Sequence, residues 1–366
     1  MKTYFFSGAF DPFTVFDAEA VLGILTDDAY SKVVIGLELD SEKTALFSVT
    51  KRMKMIEKSL YWYTKAHHRH LLEVLPERIE VVSYHGLPIY EAIKHGASRF
   101  LIPTDKTKKY DIKFGLSRQI ARNKLNSQIG YWFHEFNQLP EDIAQAIRLC
   151  YKNHEYIMLA TYVTPPVHNM LMEDLLEKQY FDCCRQSNIS WEDFCAEMSS
   201  RAYHNLSHIA YMLDKYQAYK YESNQNFDFA TERNFKAAIF FHDYVADDEE
   251  KSFEASGLSE SSKGVFMATK YSADMPETED KYEQLIRDLD LAIFTDKLLY
   301  ENYMYCIRAE YDHIAHDEYV NARTKVLETI ETVIEGQTSF TKEQKKTAFY
   351  NIEHEIYLLK HSNWFW

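Results

Sequence analysis

Short apolar runs alternate with amphipathic segments in the first part of the chain. Runs rich in β-branched and aromatic residues, typical of strands, occur at 3–7, 32–39, 79–83, 99–102 and 156–162. Helical spacing of apolar residues occurs between these runs, at 18–24, 49–64 and 89–94. This alternation predicts a parallel sheet covered by helices. We therefore predict an α/β domain over residues 1–172.

The strand pattern stops near residue 170. From Met170 onward, apolar residues recur at helical spacing. Polar stretches interrupt this pattern near 186–190, 221–228, 271–280 and 336–341. We therefore predict an all-α domain over residues 175–366.

Charge and cysteine content narrow the class of protein. The chain has 366 residues and a net charge of −15, which argues against a broad surface for duplex nucleic acid or an anionic membrane. A small phosphorylated partner in a local pocket remains compatible with that charge. Five cysteines without C-x-x-C spacing indicate reduced thiols, and neither a signal-peptide pattern nor a run of 18 apolar residues occurs. We expect a cytoplasmic protein without a membrane partner, and leave homo-oligomer formation open.

The turn after the first apolar run reads GAFDPFTVFD, at residues 8–17. A strand-to-helix turn of this kind opens many nucleotide-binding domains, because backbone N–H groups at a helix N-terminus attract phosphate. Here the turn ends in Asp17, whose carboxylate would repel a phosphate by roughly 1–4 kcal/mol at 4 Å.

Three segments of the first half resemble the phosphopantetheine adenylyltransferase group of nucleotidyltransferases. They are FSGAFDPFT at 6–14, KVVIGLELDSEKTALFSVTKRMKMI at 32–56 and IEVVSYHGLPIYEAIKHGASRFLI at 79–102. The likeness covers residues 1–175 and implies a Rossmann-like nucleotidyltransferase domain. In that group a (T/H)-x-G-H motif ends in a histidine that stabilises the ATP phosphates.

The chain departs from that group at several positions. Thr14 is kept, but Phe16 and Asp17 replace the glycine and histidine of the motif. IPTDK at 102–106 and VTPPVHN at 163–169 stand where the group has an arginine and a serine-rich phosphate loop. The resemblance implies a degenerate site of Thr14 and Asp17, with Lys43 and Arg118 as remaining anion contacts. We expect this domain to be inactive and to serve in nucleotide binding or as a scaffold.

Histidines and aspartates punctuate the apolar stretches of the second half. His204 and His208 are four residues apart and share one helix face. His242 and Asp243 end an apolar run, and Asp288 and Asp290 lie in another, where an unpaired carboxylate would be costly to bury. Imidazole and carboxylate ligands suit Mn²⁺, Fe²⁺, Zn²⁺ or Mg²⁺, so we predict a divalent metal site.

Five motifs in order resemble the HD superfamily of metal-dependent phosphohydrolases. They are YHNLSH at 203–208, FHDYVAD at 241–247, DEEKS at 248–252, DLDLAIF at 288–294 and IRAEY at 307–311. The likeness covers residues 175–366. It implies the metal ligands His208, His242, Asp243 and Asp290, the last chosen over Asp288 as the second aspartate of its motif.

The same resemblance implies further roles. His204 and Glu249 would act in catalysis together with Asp243, and Arg308 and Tyr311 would contact the substrate phosphate. The segment ATKYS at 268–272 lacks the histidine of a T-x-x-H motif that could serve a second metal, so we expect one divalent ion.

The sequence therefore predicts a metal-dependent phosphohydrolase acting on a nucleotide or nucleotide-like phosphate ester or anhydride. One alternative is a bifunctional enzyme that retains adenylyltransferase activity. Another is a regulatory protein that binds metal and nucleotide without turnover.

Overall fold

A computed structural model describes residues 2–39, 45–104, 129–135, 140–223, 227–246, 248–272 and 278–361. The chain divides into two compact units. One comprises Met1–Asn153 with Met158–His168, and the other comprises His154–Ile157 with Asn169–Trp366.

A five-stranded parallel sheet forms the centre of the N-terminal unit. Its strands are β1 Lys2–Gly8, β2 Ser31–Glu38, β3 Ile79–Tyr84, β4 Arg99–Thr104 and β5 Gly130–Glu135. They lie in the order β3-β2-β1-β4-β5, so β1 is central, with Phe5 paired to Val34 on one side and to Phe100 on the other. This arrangement is Rossmann-like, and the predicted parallel sheet is confirmed.

Helices follow the strands of this sheet. They are Val15–Asp27, Val49–His67, Leu75–Arg78, Pro88–Lys94 and Pro140–Asn153, with a 3₁₀ turn at Arg69–Leu71. Part of the core is formed by Phe5 and Val34 of the sheet packing with Ile89 of the Pro88–Lys94 helix. Burial of these apolar faces stabilises the unit by about 25 cal/mol for each Å² removed from water.

The predicted strand at 156–162 is wrong. This segment contains the helix Tyr156–Ala160, and the fifth strand is Gly130–Glu135. The carboxylate of Asp214 accepts the backbone N–H of Ile157 at 2.7 Å, which satisfies a donor of the first helical turn. A short apolar run fits a strand and a buried helix equally well, and here the tertiary contact decides.

Helices make up the C-terminal part of the chain, as predicted. They are Pro165–Cys183, Trp191–Met198, Leu206–Ser223, Phe229–Phe241, Glu249–Ser256, Lys263–Met267, Lys281–Leu291, Tyr300–Glu310, His316–Gly336 and Lys342–His361, with 3₁₀ turns at Glu260–Ser262 and Ala292–Thr295. Among the described residues, no helix combines the length and the apolar character that crossing a bilayer requires. The five cysteines form no disulfide.

An aromatic cluster anchors the end of one helix in this unit. Phe240 and Phe241 end the Phe229–Phe241 helix and are fully buried. Phe194 packs against them, with ring centroids 6.0 Å from Phe240 and 5.2 Å from Phe241. Because this anchor immediately precedes His242 and Asp243, it fixes the position from which both side chains leave the core.

A buried ion pair joins three helices near the C-terminal end. The Arg323 guanidinium donates to the Glu355 carboxylate at 2.8 Å, and to the hydroxyl of Tyr303 at 2.8 Å. Tyr300 donates its hydroxyl to the same carboxylate at 2.6 Å. Removing one partner of a buried pair costs about 3–5 kcal/mol, because the other charge is left unpaired.

Candidate metal centre

Four side chains predicted as metal ligands lie together in the C-terminal unit: His208, His242, Asp243 and Asp290. One ligand atom from each lies within 4.8 Å of the other three. The two imidazole Nε2 atoms are 3.1 Å apart, and His242 Nε2 is 2.8 Å from Asp243 Oδ2. Both imidazoles are almost fully buried. We call these four residues the His/Asp cluster.

Local structure sets how each histidine is presented. His242 follows the Phe229–Phe241 helix, and its Nδ1 donates to the carbonyl of Ile239 at 2.9 Å. This bond leaves the Nε2 lone pair directed at the cluster. His208 lies in the first turns of the Leu206–Ser223 helix, and its Nδ1 has no hydrogen-bond partner in the described part of the chain.

The two oxygens of Asp290 have different partners. Oδ1 lies 3.1 Å from His208 Nε2, while Oδ2 accepts a hydrogen bond from the Tyr271 hydroxyl at 2.7 Å. Asp288 instead accepts from the Gln284 amide at 2.8 Å. Residues two apart on a helix point about 200° apart, so only one of the two aspartates can face the cluster.

The donor set fits a single divalent ion. Two neutral imidazoles and two carboxylates are ligands that Mn²⁺, Fe²⁺ and Zn²⁺ accept. Donors held about 2.1 Å from one centre lie about 3 to 4.2 Å apart. The pairs His208–Asp243 at 3.6 Å and His242–Asp290 at 3.9 Å fall within that range, whereas His242 and Asp243 lie closer, at 2.8 Å. Two carboxylate charges would also balance a divalent cation in this buried place.

Burial and mutual charge perturb the cluster. Burial lowers the pKa of His208, which keeps its ring neutral. Burial also lowers the pKa of His242, but the adjacent Asp243 carboxylate outweighs this and the net pKa rises to about 9. Burial raises the pKa of Asp243, yet the His242 charge beside it holds that pKa well below its usual range. Without a metal, a proton on His242 therefore compensates part of the negative charge.

Glu310 holds His204 beside the cluster. Its carboxylate accepts the backbone N–H groups of Tyr203 and His204 at 2.7 and 3.1 Å, and His204 Nδ1 donates to it at 2.6 Å. Burial lowers the pKa of His204, but this contact and the cluster carboxylates raise it above its ordinary value overall. His204 thus has one nitrogen committed to Glu310, and its ring lines the adjacent cavity.

Arg201 and Ser252 fix the turn that follows His242. The Arg201 guanidinium donates to the carbonyls of Asp243 and Tyr244. The Ser252 hydroxyl accepts the backbone N–H of Val245 at 2.9 Å. These hydrogen bonds come from residues distant in sequence, and they hold the backbone of Asp243 and the two residues after it in place.

A cavity of about 580 Å³ opens beside the cluster. His204, Asp243, Glu249, Asp290 and Tyr311 are among the side chains that line it, together with Lys270. Lys270 is exposed. Glu249 starts the Glu249–Ser256 helix and contacts the cavity without joining the cluster.

Arg308 does not line this cavity. Its guanidinium donates to the carbonyl of Tyr311 at 2.7 Å and lies 4.6 Å from the ring centroid of Tyr319. A role for Arg308 in substrate binding stays a prediction, as does that of Tyr311.

The first turn of the N-terminal unit is closed by its own side chains. Thr14 is the N-cap of the Val15–Asp27 helix, and its hydroxyl oxygen accepts the Asp17 N–H at 3.2 Å. The Asp17 carboxylate accepts the backbone N–H and the hydroxyl of Thr14 at 2.8 and 2.7 Å. Burial raises the pKa of Asp17 to about 6, against these hydrogen bonds, which lower it. The helix N-terminus thus carries an internal carboxylate; Lys43 and Arg118 lie outside the described residues.

Sequence reasoning missed Glu310, Tyr271, Arg201 and Ser252. Glu310 stands inside IRAEY, between the two residues that were selected from that motif. Ser252 ends DEEKS, and Tyr271 lies in the ATKYS segment, which lacks the histidine of the T-x-x-H motif. The motif letters were therefore a usable signal for three of them, whereas Arg201 lies outside every motif.

Comparison with known proteins bears on the N-terminal part. No family model matches the chain. The phosphopantetheine adenylyltransferase of Rhizobium rhizogenes is 30% identical over 127 residues, which are 33% of this chain and 68% of that protein. The Sinorhizobium fredii protein of the same name is 31% identical over 127 residues, 33% and 70% of the two chains. That of Bartonella bacilliformis is 25% identical over 173 residues, 42% and 99%. Through its N-terminal part, the chain belongs to the phosphopantetheine adenylyltransferase family.

Proposed function

We propose that the protein is a phosphohydrolase of the HD type, acting with one divalent ion on a small phosphorylated substrate, nucleotide or nucleotide-like. The observation that carries this proposal is the convergence of His208, His242, Asp243 and Asp290 beside a cavity. Its support from sequence is the ordered set of five motifs that resemble the HD superfamily.

An ion held by the His/Asp cluster would supply Lewis-acid polarisation of a phosphoryl oxygen and a lowered pKa for water. The residues of this chain then supply the remaining parts. Lys270 offers a cation for the substrate phosphate at the cavity. Glu249 lines the cavity and would take a proton from the attacking water.

His204, which lines the same cavity, would complete the reaction. Water oxygen bonds to phosphorus, the bond from phosphorus to the leaving oxygen breaks, and His204 donates a proton to that oxygen. Glu310 holds the ring by Nδ1, so the other nitrogen is the one available for the transfer. Asp243 would act in two ways: as a ligand of the ion in the His/Asp cluster, and through its negative charge next to His242.

Family membership of the N-terminal part favours a second candidate, adenylyl transfer. The capping box of Thr14 and Asp17 argues against it, because a carboxylate occupies the helix N-terminus that would attract phosphate. We propose that this unit binds a nucleotide or serves as a scaffold. Pyrophosphate formation from ATP and phosphopantetheine would revive the bifunctional enzyme.

The test is phosphate and pyrophosphate release by the full chain with Mn²⁺ and a panel of nucleotides, dinucleotides and coenzyme A precursors. Asp290→Asn should abolish release, whereas Asp288→Asn, two residues away on the same helix, should keep it. Equal loss in both variants, or none in Asp290→Asn, would refute the assignment. Metal that raises Tm without turnover of any substrate would favour the regulatory alternative.

A further inference from the structure

The side chains that line the cavity beside the His/Asp cluster are of two kinds. His204, Asp243, Lys270 and Asp290 are polar or charged. Six others are aliphatic, and we call them the apolar wing: Ile293, Ile307, Ile314, Ala322, Val326 and Ile330. The helices that carry most of the wing also contribute Tyr303, Tyr319 and Arg323 to the lining, and Tyr311 joins it just after the end of one of them. A phosphate requires only the polar and charged side chains, so the aliphatic ones need their own explanation.

The apolar wing is preformed. Ile293, Ile307 and Ile330 come from the Ala292–Thr295 turn and from two helices, and each is at most 6% exposed. Ala322 and Val326 lie one turn apart on the same helix face, and Val326 is 46% exposed. The exposed part of the apolar wing leaves apolar surface in contact with water, and an apolar group of a ligand would cover that surface.

Two polar side chains that line the cavity next to the apolar wing, Arg323 and Tyr303, are already hydrogen-bonded within the protein. The Arg323 guanidinium pairs with Glu355 and donates to the Tyr303 hydroxyl. A group rich in hydroxyls would lose its hydrogen bonds to water there and gain few in return. An apolar group would meet no such cost.

We propose that the apolar wing binds the organic part of the substrate, and that this part presents an apolar surface: a hydrocarbon group or the flat face of a nucleobase. The inference rests on the proposed function. The cavity volume of about 580 Å³ lies within the range of small-ligand sites. Inorganic pyrophosphate and simple sugar phosphates would leave the wing unfilled.

Binding of phosphonates to the Mn²⁺-loaded full chain tests this without relying on turnover. Calorimetry with alkylphosphonates from methyl to hexyl should give a Kd that falls about fourfold for each buried methylene. The hexyl compound has five more methylenes and should therefore bind on the order of 1000-fold more tightly than the methyl compound. A second arm compares adenosine 5′-monophosphate with ribose 5-phosphate, and tighter binding of the first assigns the wing to a base.

Ala322→Glu should reduce the hexyl-to-methyl ratio at least tenfold, because it places a charge in the wing. Leu298→Glu is the matched control, since Leu298 is 78% exposed and lies outside the cavity lining; its ratio should equal that of the wild type. A flat series in the wild type, together with equal binding of the two ribose compounds, would overturn the inference. So would an unchanged preference in Ala322→Glu.

Phosphate release distinguishes this failure from failure of the proposed function. Phosphate release that depends on Asp290, combined with a flat alkylphosphonate series and equal binding of the two ribose compounds, would support the phosphohydrolase and reject the apolar wing. A steep alkylphosphonate series without phosphate release from any substrate would support the apolar wing and reject the phosphohydrolase.

Discussion

The hydrogen bond from Tyr271 to Asp290 offers a direct test of the His/Asp cluster. The hydroxyl of Tyr271 holds Oδ2 of Asp290 at 2.7 Å, so that Oδ1 is the oxygen presented to the cluster. Tyr271→Phe removes one oxygen atom and leaves the ring in place. We expect weaker metal binding, because the carboxylate becomes free to rotate and loses a donor that fixes it.

The magnitude follows from the type of bond. A hydrogen bond to a charged acceptor contributes about 1.5–3 kcal/mol, which corresponds to roughly 10- to 100-fold in affinity. Losing a contact to a metal-ligating group costs the same range, about 10- to 100-fold. Tyr271 lines the cavity, so water can replace part of the lost bond. We therefore expect the lower end, about tenfold.

Calorimetric titration of the metal-free chain with Mn²⁺ measures this change. Tyr211→Phe is the matched control, because Tyr211 donates to Asp296, which lies outside the cluster. Its Mn²⁺ affinity should stay within threefold of the wild type, an allowance of under about 0.7 kcal/mol. An equal Mn²⁺ Kd for wild type and Tyr271→Phe would refute the argument that Asp290 is a ligand held by Tyr271.

Three further changes have distinct expected results. The raised pKa of Asp17 means that the folded chain binds this proton more tightly than the unfolded chain does, so the free energy of unfolding of the wild type falls as pH rises from about 4 to 6. Asp17→Asn has no such proton, so its free energy of unfolding should not fall in this way. At pH 7 the variant should be more stable than the wild type by about 2 kcal/mol: about 3 kcal/mol from the pKa difference, less about 1 kcal/mol for the lost interaction with the helix dipole. Hydrogen exchange in the 15–27 helix as a function of urea measures this difference, and an unchanged dependence of stability on pH would contradict it. Glu310→Gln should lower kcat for phosphate release about 10- to 100-fold by removing the charge behind His204, with Mn²⁺ affinity unchanged; a lowered affinity with normal kcat would contradict that role. Lys270→Ala should raise KM about tenfold or more, while Lys325→Ala, also an exposed lysine but outside the cavity, should leave KM unaltered; equal KM values would remove Lys270 from phosphate binding.

Periodicity in the sequence was sufficient for most of the fold. Four of the five strands follow from short apolar runs, because the central strands of a parallel sheet are buried on both faces. The helical second half follows from the spacing of apolar residues, because each helix buries one face. The segment Tyr156–Ala160 failed because its apolar residues are contiguous and carry no period. Gly130–Glu135 was overlooked, although its sequence GYWFHE is rich in aromatic residues suited to a strand.

For the candidate site, the residue types indicated which side chains are chemically capable, and the resemblance to the HD motif selected Asp290 over Asp288. Helical geometry explains why the two aspartates cannot both face the cluster. The hydrogen bonds that support the cluster residues could not be predicted from the spacing of residues along the chain. Glu310 reaches His204 across 106 positions, and Tyr271 reaches Asp290 across 19. Such pairs depend on how helices cross, which a local pattern does not encode. At Asp17 the sequence predicted repulsion of phosphate, and the structure adds a structural use for the same carboxylate.

The pairing of Arg323 with Glu355 means that the cavity is completed late during synthesis. The chain emerges from the ribosome N-terminus first, so every residue of the His/Asp cluster emerges before the helix Lys342–His361. Until Glu355 emerges, Arg323 lacks both its counter-ion and the helix that packs against its own helix. The cavity lining to which Arg323 belongs is therefore complete only after the Lys342–His361 helix has docked.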